Sequence, residues 1–336
     1  MAQCLKIAIP MAGFGTRLRP HTWSKPKPMM PIAGKTVLDY VLDQFASLPD
    51  PQNVEYVFIV GPNSQRIQEH MHANYPDVTV HFVVQTVMRG QSDALYLARE
   101  YLSGGPMLMA FSDTLIEADF SFLKDEKADG VALVKPVPDP RRFGVAEVNA
   151  EGRITHFVEK PQSMDNNLAL AGFYYFRRGE DLMQAIEEQM ARKMSLKNEY
   201  FLADAINVLL EKGVYFRPEI IETWLDAGVP DTVLETNRYL LDHRQHNSAE
   251  AAQRPGVVIN PPVFVHPSAE IVNAVIGPHA SIGAGCHIED SVVRNSVLGN
   301  NTRVTRMVLE ASLLGDTVQA TGQVAHLNLG DHSVME

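Results

Sequence analysis

The sequence predicts an α/β, Rossmann-like domain with a mixed, mostly parallel sheet, followed by a short parallel β-helix. Two patterns carry this expectation. Short β-branched runs alternate with amphipathic helical stretches through the first 240 or so residues, and beyond residue 256 aliphatic residues recur every five or six positions. Alternation of strand and helix specifies parallel strands joined by crossover helices. A period near six, with a small residue after each aliphatic, specifies a β-helix with three short faces per coil. The length of 336 residues agrees, since roughly 150 residues per domain gives about two domains.

Taken in order, Ile7–Pro10 reads as a buried first strand that runs straight into a glycine-rich turn. Val37, Leu38, Val41, Leu42 and Phe45 then recur at helical spacing. A strand (Tyr56–Val60), a helix (Gln65–Ala73), a strand (Val78–Val84), a helix (Ser92–Tyr101) and a strand (Met107–Phe111) follow. Between Val131 and Phe176 the pattern is strand-rich, and helices resume at Asp181–Met190 and Phe201–Leu210. The polar stretch from His243 to Gly256 lacks large apolar anchors and ends in Pro-Gly, which suits a linker. The expected boundaries are therefore 1–243, a linker at 244–256, and a β-helix at 257–336. In the β-helix, Val265, Ile271, Ile276, Ile282, Ile288, Val293, Leu298, Val304, Leu309 and Leu314 form the repeat, enough for about three coils.

Composition narrows the function. Hydrophobic residues make up 45% of the chain and charged residues 21%, which excludes a disordered polymer. A formal charge of −11 argues against a general nucleic-acid or anionic-membrane binder, though a local basic pocket can still hold phosphates. The N-terminus shows no secretory pattern and no apolar stretch is long enough to cross a bilayer. Cys4 and Cys286 stand far apart, so neither a disulfide framework nor a structural zinc site is expected, and a reducing cytoplasm fits.

The chemistry is concentrated in the stretch from Pro10 to Pro31. It follows the first strand, where backbone amides freed from the sheet can point at an anion. Gly13 and Gly15 allow that backbone to approach phosphates closely. Arg17 offers a fork of donors, and Lys25 and Lys27 add point charges. Prolines at 20, 26, 28 and 31 stiffen the loop. A dinucleotide fingerprint would need a third small residue where Leu18 stands, and a P-loop would need glycine at Met29, five residues before Gly34-Lys35-Thr36. A purely structural turn accounts for the two glycines but not for the Thr-Arg and Pro-Lys-Pro that follow.

At these residues the chain resembles the sugar-1-phosphate nucleotidyltransferases, or NDP-sugar pyrophosphorylases. Gly13–Leu18 matches their Gly-x-Gly-Thr-Arg-Leu, and Pro26–Pro31 their Pro-Lys-x-x-x-Pro. Gln85 with Gly90 matches the pair that reads the base, and Phe111-Ser112-Asp113 the strand end that supplies a metal-binding aspartate. Phe143–Val145, Val158–Pro161, Ala171–Tyr174 and Trp224–Gly228 match later segments, so the likeness covers nearly the whole first domain. The resemblance implies a nucleoside triphosphate and a sugar 1-phosphate as substrates, Mg²⁺ as cofactor, a homo-oligomer, and a left-handed β-helix. It implies Arg17 and Lys27 as catalytic, and Ala12, Gly13, Gly15, Thr16, Gln85 and Gly90 as nucleotide-binding. Gly144, Glu159, Lys160 and Gly172 would bind the sugar phosphate, and Asp113 and Asp226 the metal. Such phosphoryl transfer needs positioning and charge neutralisation more than covalent help.

Bland alternatives stand beside these roles. Asp113 could be a turn cap, Glu159 with Lys160 an exposed ion pair of little worth, Lys25 a solvated loop charge, and Trp224 and Leu225 core. Ala12 is closer to the uridylyltransferases, whereas Leu18-Arg19-Pro20 and Thr22 look more like the thymidylyl- and mannose-type guanylyltransferases. Gln85 suits a pyrimidine, because a side-chain amide can pair with both its carbonyl and its ring N–H. The expectation is dTTP or UTP with glucose 1-phosphate. The alternatives are a bifunctional or acyl-transferring hexapeptide enzyme, for which His266, His279, His287 and His326 form no evident constellation, and a non-catalytic regulatory relative.

Overall fold

The structure is a computed structural model that describes residues 3–243 and 245–323; the end of the expected 257–336 domain, with His326, lies outside the described residues. The chain divides into two compact units, one from Met1–Met30 with Thr36–Val229, the other from Pro31–Lys35 with Pro230–Glu336.

In the first unit, strands β1 (Leu5–Met11), β2 (Val54–Val60), β3 (Thr79–Val84) and β4 (Met107–Ala110) lie parallel in the order β3-β2-β1-β4. Helices α1 (Val37–Asp43), α2 (Gln65–Asn74) and α3 (Gln91–Leu97) fall in the crossovers between successive strands. The start of α1 is set by a capping box, in which Thr36 accepts from the Asp39 amide and Asp39 accepts from that of Thr36. The expected Ser92–Tyr101 helix breaks at Ala98, and a second short turn covers Arg99–Leu102. Leu95, Ala98 and Leu102 nonetheless remain fully buried, so one apolar face is preserved across the break.

The remaining strands make the sheet mixed. β5 (Thr114–Glu117) leaves the main sheet, and β6 (Gly130–Pro136), β7 (Gly144–Val148), β8 (Ile154–Glu159) and β9 (Leu168–Phe176) continue it. β9 runs antiparallel to β4, β6 and β7. Helices α4 (Gly179–Ala191) and α5 (Leu202–Glu211) precede β10 (Phe216–Ile220), which pairs with β6, and β11 (Thr223–Asp226), which pairs antiparallel with β5. Chain connections depart in opposite directions from β1 and β4, so the opening beyond their carboxyl ends is the crevice in which open α/β sheets bind ligands.

In the second unit, helix α6 (Pro230–His243) precedes three sheets of four short parallel strands each among the described residues. That makes four rungs where the repeat predicted three, because the first coil begins at Val257, ahead of the first counted aliphatic. Paired residues are 16 or 17 apart, as in Ile271↔Ile288 and Ile288↔Val304, so the coil is tighter than three full hexapeptides. Three inward ladders result: Ile259–Ile276–Val293–Leu309, Val265–Ile282–Leu298–Leu314, and Ile271–Ile288–Val304–Ala320. Ile276, Ile282, Ile288, Val293 and Val304 are fully buried, each worth about 1.5–3 kcal/mol of transfer free energy. The expected linker contains the helical turn Ser248–Ala251, where the buried Ser248 hydroxyl accepts from the Val263 amide at 2.9 Å. Glycine at 277 is required by proximity: a Cβ there would lie 2.0 Å from the Asn260 carbonyl oxygen.

Candidate functional site

The site is built at the carboxyl ends of β1 and β4. β1 delivers Ala12, buried, and Gly13, exposed and with open space where a Cβ would point. Gly15 then turns left-handed at φ 58°, and Thr22 donates to its carbonyl at 2.7 Å, folding the loop back on itself. This reversal carries Thr16 and Arg17 outward, where both are exposed. It also returns Lys27 to the sheet, where its ammonium forms an ion pair with Asp113 at the end of β4. Side-chain exposures of 12% for Lys27 and 23% for Asp113 place this pair at the floor of the crevice rather than on the surface.

Asp226 is brought to the same place by the two-stranded β5–β11 ladder. Asp226 lies opposite Thr114, and the Ala227 amide donates to the Asp113 carbonyl at 2.8 Å. Gly228 shows how crowded the junction is. A Cβ there would stand 2.7 Å from Asp226 Oδ1, 3.0 Å from Asp226 Oδ2 and 3.1 Å from Lys27 Nζ. Lys27, Asp113 and Asp226 therefore converge, although a wide stretch of sequence separates each from the next. No group of three or more histidine, cysteine or acidic residues suited to a metal occurs among the described residues. The two carboxylates do provide hard oxygen donors, and Asp113 is paired with the Lys27 ammonium. A divalent ion that keeps waters and takes phosphate oxygens fits that donor set.

Of the expected base-reading pair, Gln85 directly follows β3 and Gly90 directly precedes α3. Gln85 is buried, and its amide donates to Asp93 Oδ2 at 2.9 Å. Asp93, also buried, takes Arg89 on its other oxygen at 2.8 Å. The Gln85 carbonyl oxygen therefore has a defined orientation. Gly90, at φ 95°, packs so closely that a Cβ would meet the Tyr200 carbonyl at 2.4 Å. A cleft of about 420 Å³ opens over Ala12, Gly13, Lys25 and Lys27, with Gly61 to Ile67 forming its far wall. Lys25, a solvated charge in the bland reading of the sequence, is buried there, whereas Phe14 and Trp23 stand 66% and 73% exposed.

A second cavity, of about 210 Å³, is lined by Gly144, Glu159, Phe111, Ala171, Tyr174, Arg142 and Trp224 among others, and reaches Gln91 beside Gly90. Gly144 and Glu159 are register partners across β7 and β8. Gly172 lies within β9 at the register shift between Leu170 and Tyr174 in that strand's pairing with β6. At φ 81° it admits the Phe111 ring, which would lie 2.1 Å from a Cβ. Burial raises the Glu159 carboxyl above its ordinary range; Lys160 opposes this and Asp204 adds to it. Lys160 Nζ stands 3.8 Å from Glu159 with its side chain 64% exposed, so this contact holds it only loosely and leaves it able to reach a ligand.

Sequence reasoning missed two residues. Asp93 orients Gln85, and its only signal was an acidic residue in the first turn of α3. Trp224 reads as core in the sequence, yet its indole N–H is buried with no acceptor among the described residues, and it lines the smaller cavity. Arg17 is not brought to the cluster and has no ion-pair partner among the described residues. The described β-helix histidines are engaged locally, His266 with Ser268, His279 with Asp242 and His287 with Glu270. No helix among the described residues is long and apolar enough to cross a membrane.

Comparison with known proteins places the chain in one family. Residues 8–243 match the family described as Nucleotidyl transferase. A glucose-1-phosphate thymidylyltransferase of Streptomyces griseus is 27% identical across 98% of both chains. The bifunctional protein GlmU of Methanocaldococcus jannaschii is 34% identical over 69% of this chain, which spans 53% of that longer protein. The solved nucleoside-diphosphate-sugar pyrophosphorylase of Vibrio cholerae shares the fold with a TM-score of 0.60 over 69% of this chain and 99% of its own, at 22% identity. The family match over residues 8–243, with a relative 34% identical over 69% of the chain, leads to one conclusion: the chain belongs to the nucleotidyl transferase family.

Proposed function

We propose that the protein joins a nucleoside triphosphate to a sugar 1-phosphate, forming an NDP-sugar and pyrophosphate, with dTTP or UTP and glucose 1-phosphate as the favoured pair. The convergence of Lys27, Asp113 and Asp226 beside Gly228 at the sheet's opening carries this reading. A sugar-phosphate oxygen attacks the α-phosphorus in line, the bond to the β-phosphate oxygen breaks, and pyrophosphate leaves. Lys27 and Arg17 neutralise charge on the α-phosphoryl and the departing pyrophosphate. Arg17 stands exposed on the same loop, open to a phosphate. Ala12, Gly13, Gly15 and Thr16 present backbone to the triphosphate, while Gln85, held by Asp93, faces the base beside Gly90. Gly144, Glu159 and Gly172 shape the sugar cavity, Lys160 takes the sugar phosphate, and the unpaired Trp224 N–H is available to a sugar oxygen. Asp113 and Asp226 would hold Mg²⁺, which when bound would neutralise phosphate charge. Assembly into a homo-oligomer belongs to the same reading and is checked by light scattering.

The test is pyrophosphate release with Mg²⁺, crossing dTTP, UTP, GTP, ATP and CTP against glucose, N-acetylglucosamine and mannose 1-phosphates. Turnover confined to a pyrimidine nucleotide with glucose 1-phosphate is expected. Turnover with another pair corrects the substrate and leaves the reaction class intact. Folded protein that binds nucleotide but is silent across the grid overturns the catalytic reading.

A further inference from the structure

The three faces of the β-helix differ in what their outward positions carry. One sheet consists of Glu270–Val272, His287–Glu289, Arg303–Thr305 and Gln319–Thr321. Its middle residues point inward, and beside them Glu270, His287, Arg303 and Gln319 form an outward polar ladder. A second sheet begins with Val263–Val265 and is covered within the same unit. There Phe264 lies against Gly34 of the 31–35 hairpin, and the Ser281 hydroxyl donates to Asn237 Oδ1 of α6 at 2.6 Å. The third sheet consists of Val257–Ile259, Ala274–Ile276, Val292–Arg294 and Val308–Glu310. Its outward position is valine in every coil, in register as Val258–Val275–Val292–Val308. Val258 is 57% exposed and Val308 68%, while Val275 and Val292 are half-buried. Strand propensity alone does not explain this ladder, because the first sheet solves the same coil with polar residues outward.

The charges of the valine face stand at its edges. Asn273, Asp290 and Arg306 form left-handed corners where its strands begin, and Arg294 and Glu310 pair with each other where two of them end. The edges thus balance Asp290 and Glu310 against Arg294 and Arg306, in a chain whose net charge is −11.

We propose that two copies of the chain meet through this valine face, in a two-fold dimer whose axis runs along the coil axis. That symmetry lays each coil on the same coil of the other copy, with the beginning of one strand over the end of the other. Valine then packs on valine in every coil. Asp290 of one copy meets Arg294 of the other, and Arg306 meets Glu310. A two-fold axis across the coils would instead set the first coil against the fourth and each edge against itself. Arg306 would then face Gly256 and Asp290 would face Asn273, so no charge would find its opposite. Four strands about 4.8 Å apart make a face only about 14 Å tall. That is small beside the ~800 Å² per partner of a stable interface, so the dimer is reversible and dissociates in the micromolar range.

This inference rests on the homo-oligomer proposed above and names the surface that forms it. The test is sedimentation velocity of the full chain from micromolar to submillimolar concentration, with circular dichroism of each variant. A monomer–dimer equilibrium is expected for the wild type. Val292→Lys sets like charges against each other at the centre of the ladder and should weaken association about tenfold or more. Val308→Lys, at a more exposed position, serves the same purpose should Val292→Lys not fold. Arg306→Glu should weaken the dimer about tenfold more than Arg303→Glu, which makes the same change of charge on the polar face. A monomer at every concentration overturns this inference together with the proposed homo-oligomer. An oligomer unmoved by either lysine forms through another surface, which keeps the homo-oligomer and overturns the valine face. Equal effects of Arg306→Glu and Arg303→Glu overturn the two-fold arrangement. Turnover plays no part in the measurement, so a failure here leaves the proposed reaction standing.

Discussion

Gly228→Ala adds one methyl group at the most crowded point of the site. The backbone of Gly228 is outside the left-handed region, so the substitution carries no conformational penalty, and its whole effect is steric. The new carbon would lie 2.7 Å from Asp226 Oδ1, which is 0.7 Å inside the 3.4 Å at which ordinary contact begins, and 3.1 Å from Lys27 Nζ, or 0.3 Å inside it. Both neighbours are the ends of side chains, so they can yield, and the fold should lose about 1 kcal/mol or less. What they lose is position. Misplacing a reacting group by 1 Å costs about a hundredfold in rate. A shift of 0.7 Å at Asp226 is then worth roughly tenfold to a hundredfold in kcat, or about 1.4–2.7 kcal/mol of barrier. The assay is steady-state pyrophosphate release, with KM for each substrate and the melting temperature measured alongside. Wild-type kcat in Gly228→Ala would refute the placement of Asp226 and Lys27 around the reacting phosphate. A rise in KM at constant kcat would equally show that the crowded point binds ground and transition states alike.

Asp113→Asn removes one carboxylate and the partner of Lys27; turnover should fall about a thousandfold while circular dichroism and melting remain near wild type, and substantial activity would take Asp113 out of its role. Asp93→Ala removes the acceptor that holds Gln85, so discrimination between pyrimidine and purine nucleotides should narrow about tenfold with kcat for the preferred nucleotide little changed, as read by kcat/KM ratios. Asp39 supplies a pH prediction. Burial alone would raise its pKa, but hydrogen bonds from His70, Thr36 and Tyr75 overcome this and hold it at about 2, against 3.8 for the free side chain. A depressed carboxyl stabilises the fold above its unfolded pKa, so about 2 kcal/mol is present above pH 4 and lost as pH falls through about 2. Asp39→Asn should therefore melt earlier than wild type at pH 7 and converge with it near pH 2; a gap independent of pH would refute the assignment.

Much of this protein is written in local chemistry. The parallel sheet was legible because strands buried on both faces require uninterrupted β-branched runs, and crossover helices require the apolar spacing seen at Val37–Phe45. The β-helix was legible because every coil repeats the same burial problem, although the tighter coil and the extra rung at Val257 depend on how neighbouring coils pair. The glycine-rich loop could be placed at a strand end because backbone freedom at Gly13 and Gly15 is a property of those residues alone.

Only tertiary structure could bring Lys27, Asp113 and Asp226 together. Each is a common surface residue type, and their meeting depends on the pairing of Thr114 with Asp226 and on the return of the loop through the Thr22–Gly15 bond. The same holds for Asp93 behind Gln85 and for the unpaired Trp224 N–H. Periodicity and turn chemistry act over a few residues and so can be read along the chain. A hydrogen bond or a clash across the fold depends on distances that no local pattern encodes, and it is those distances that decide which charges share one site.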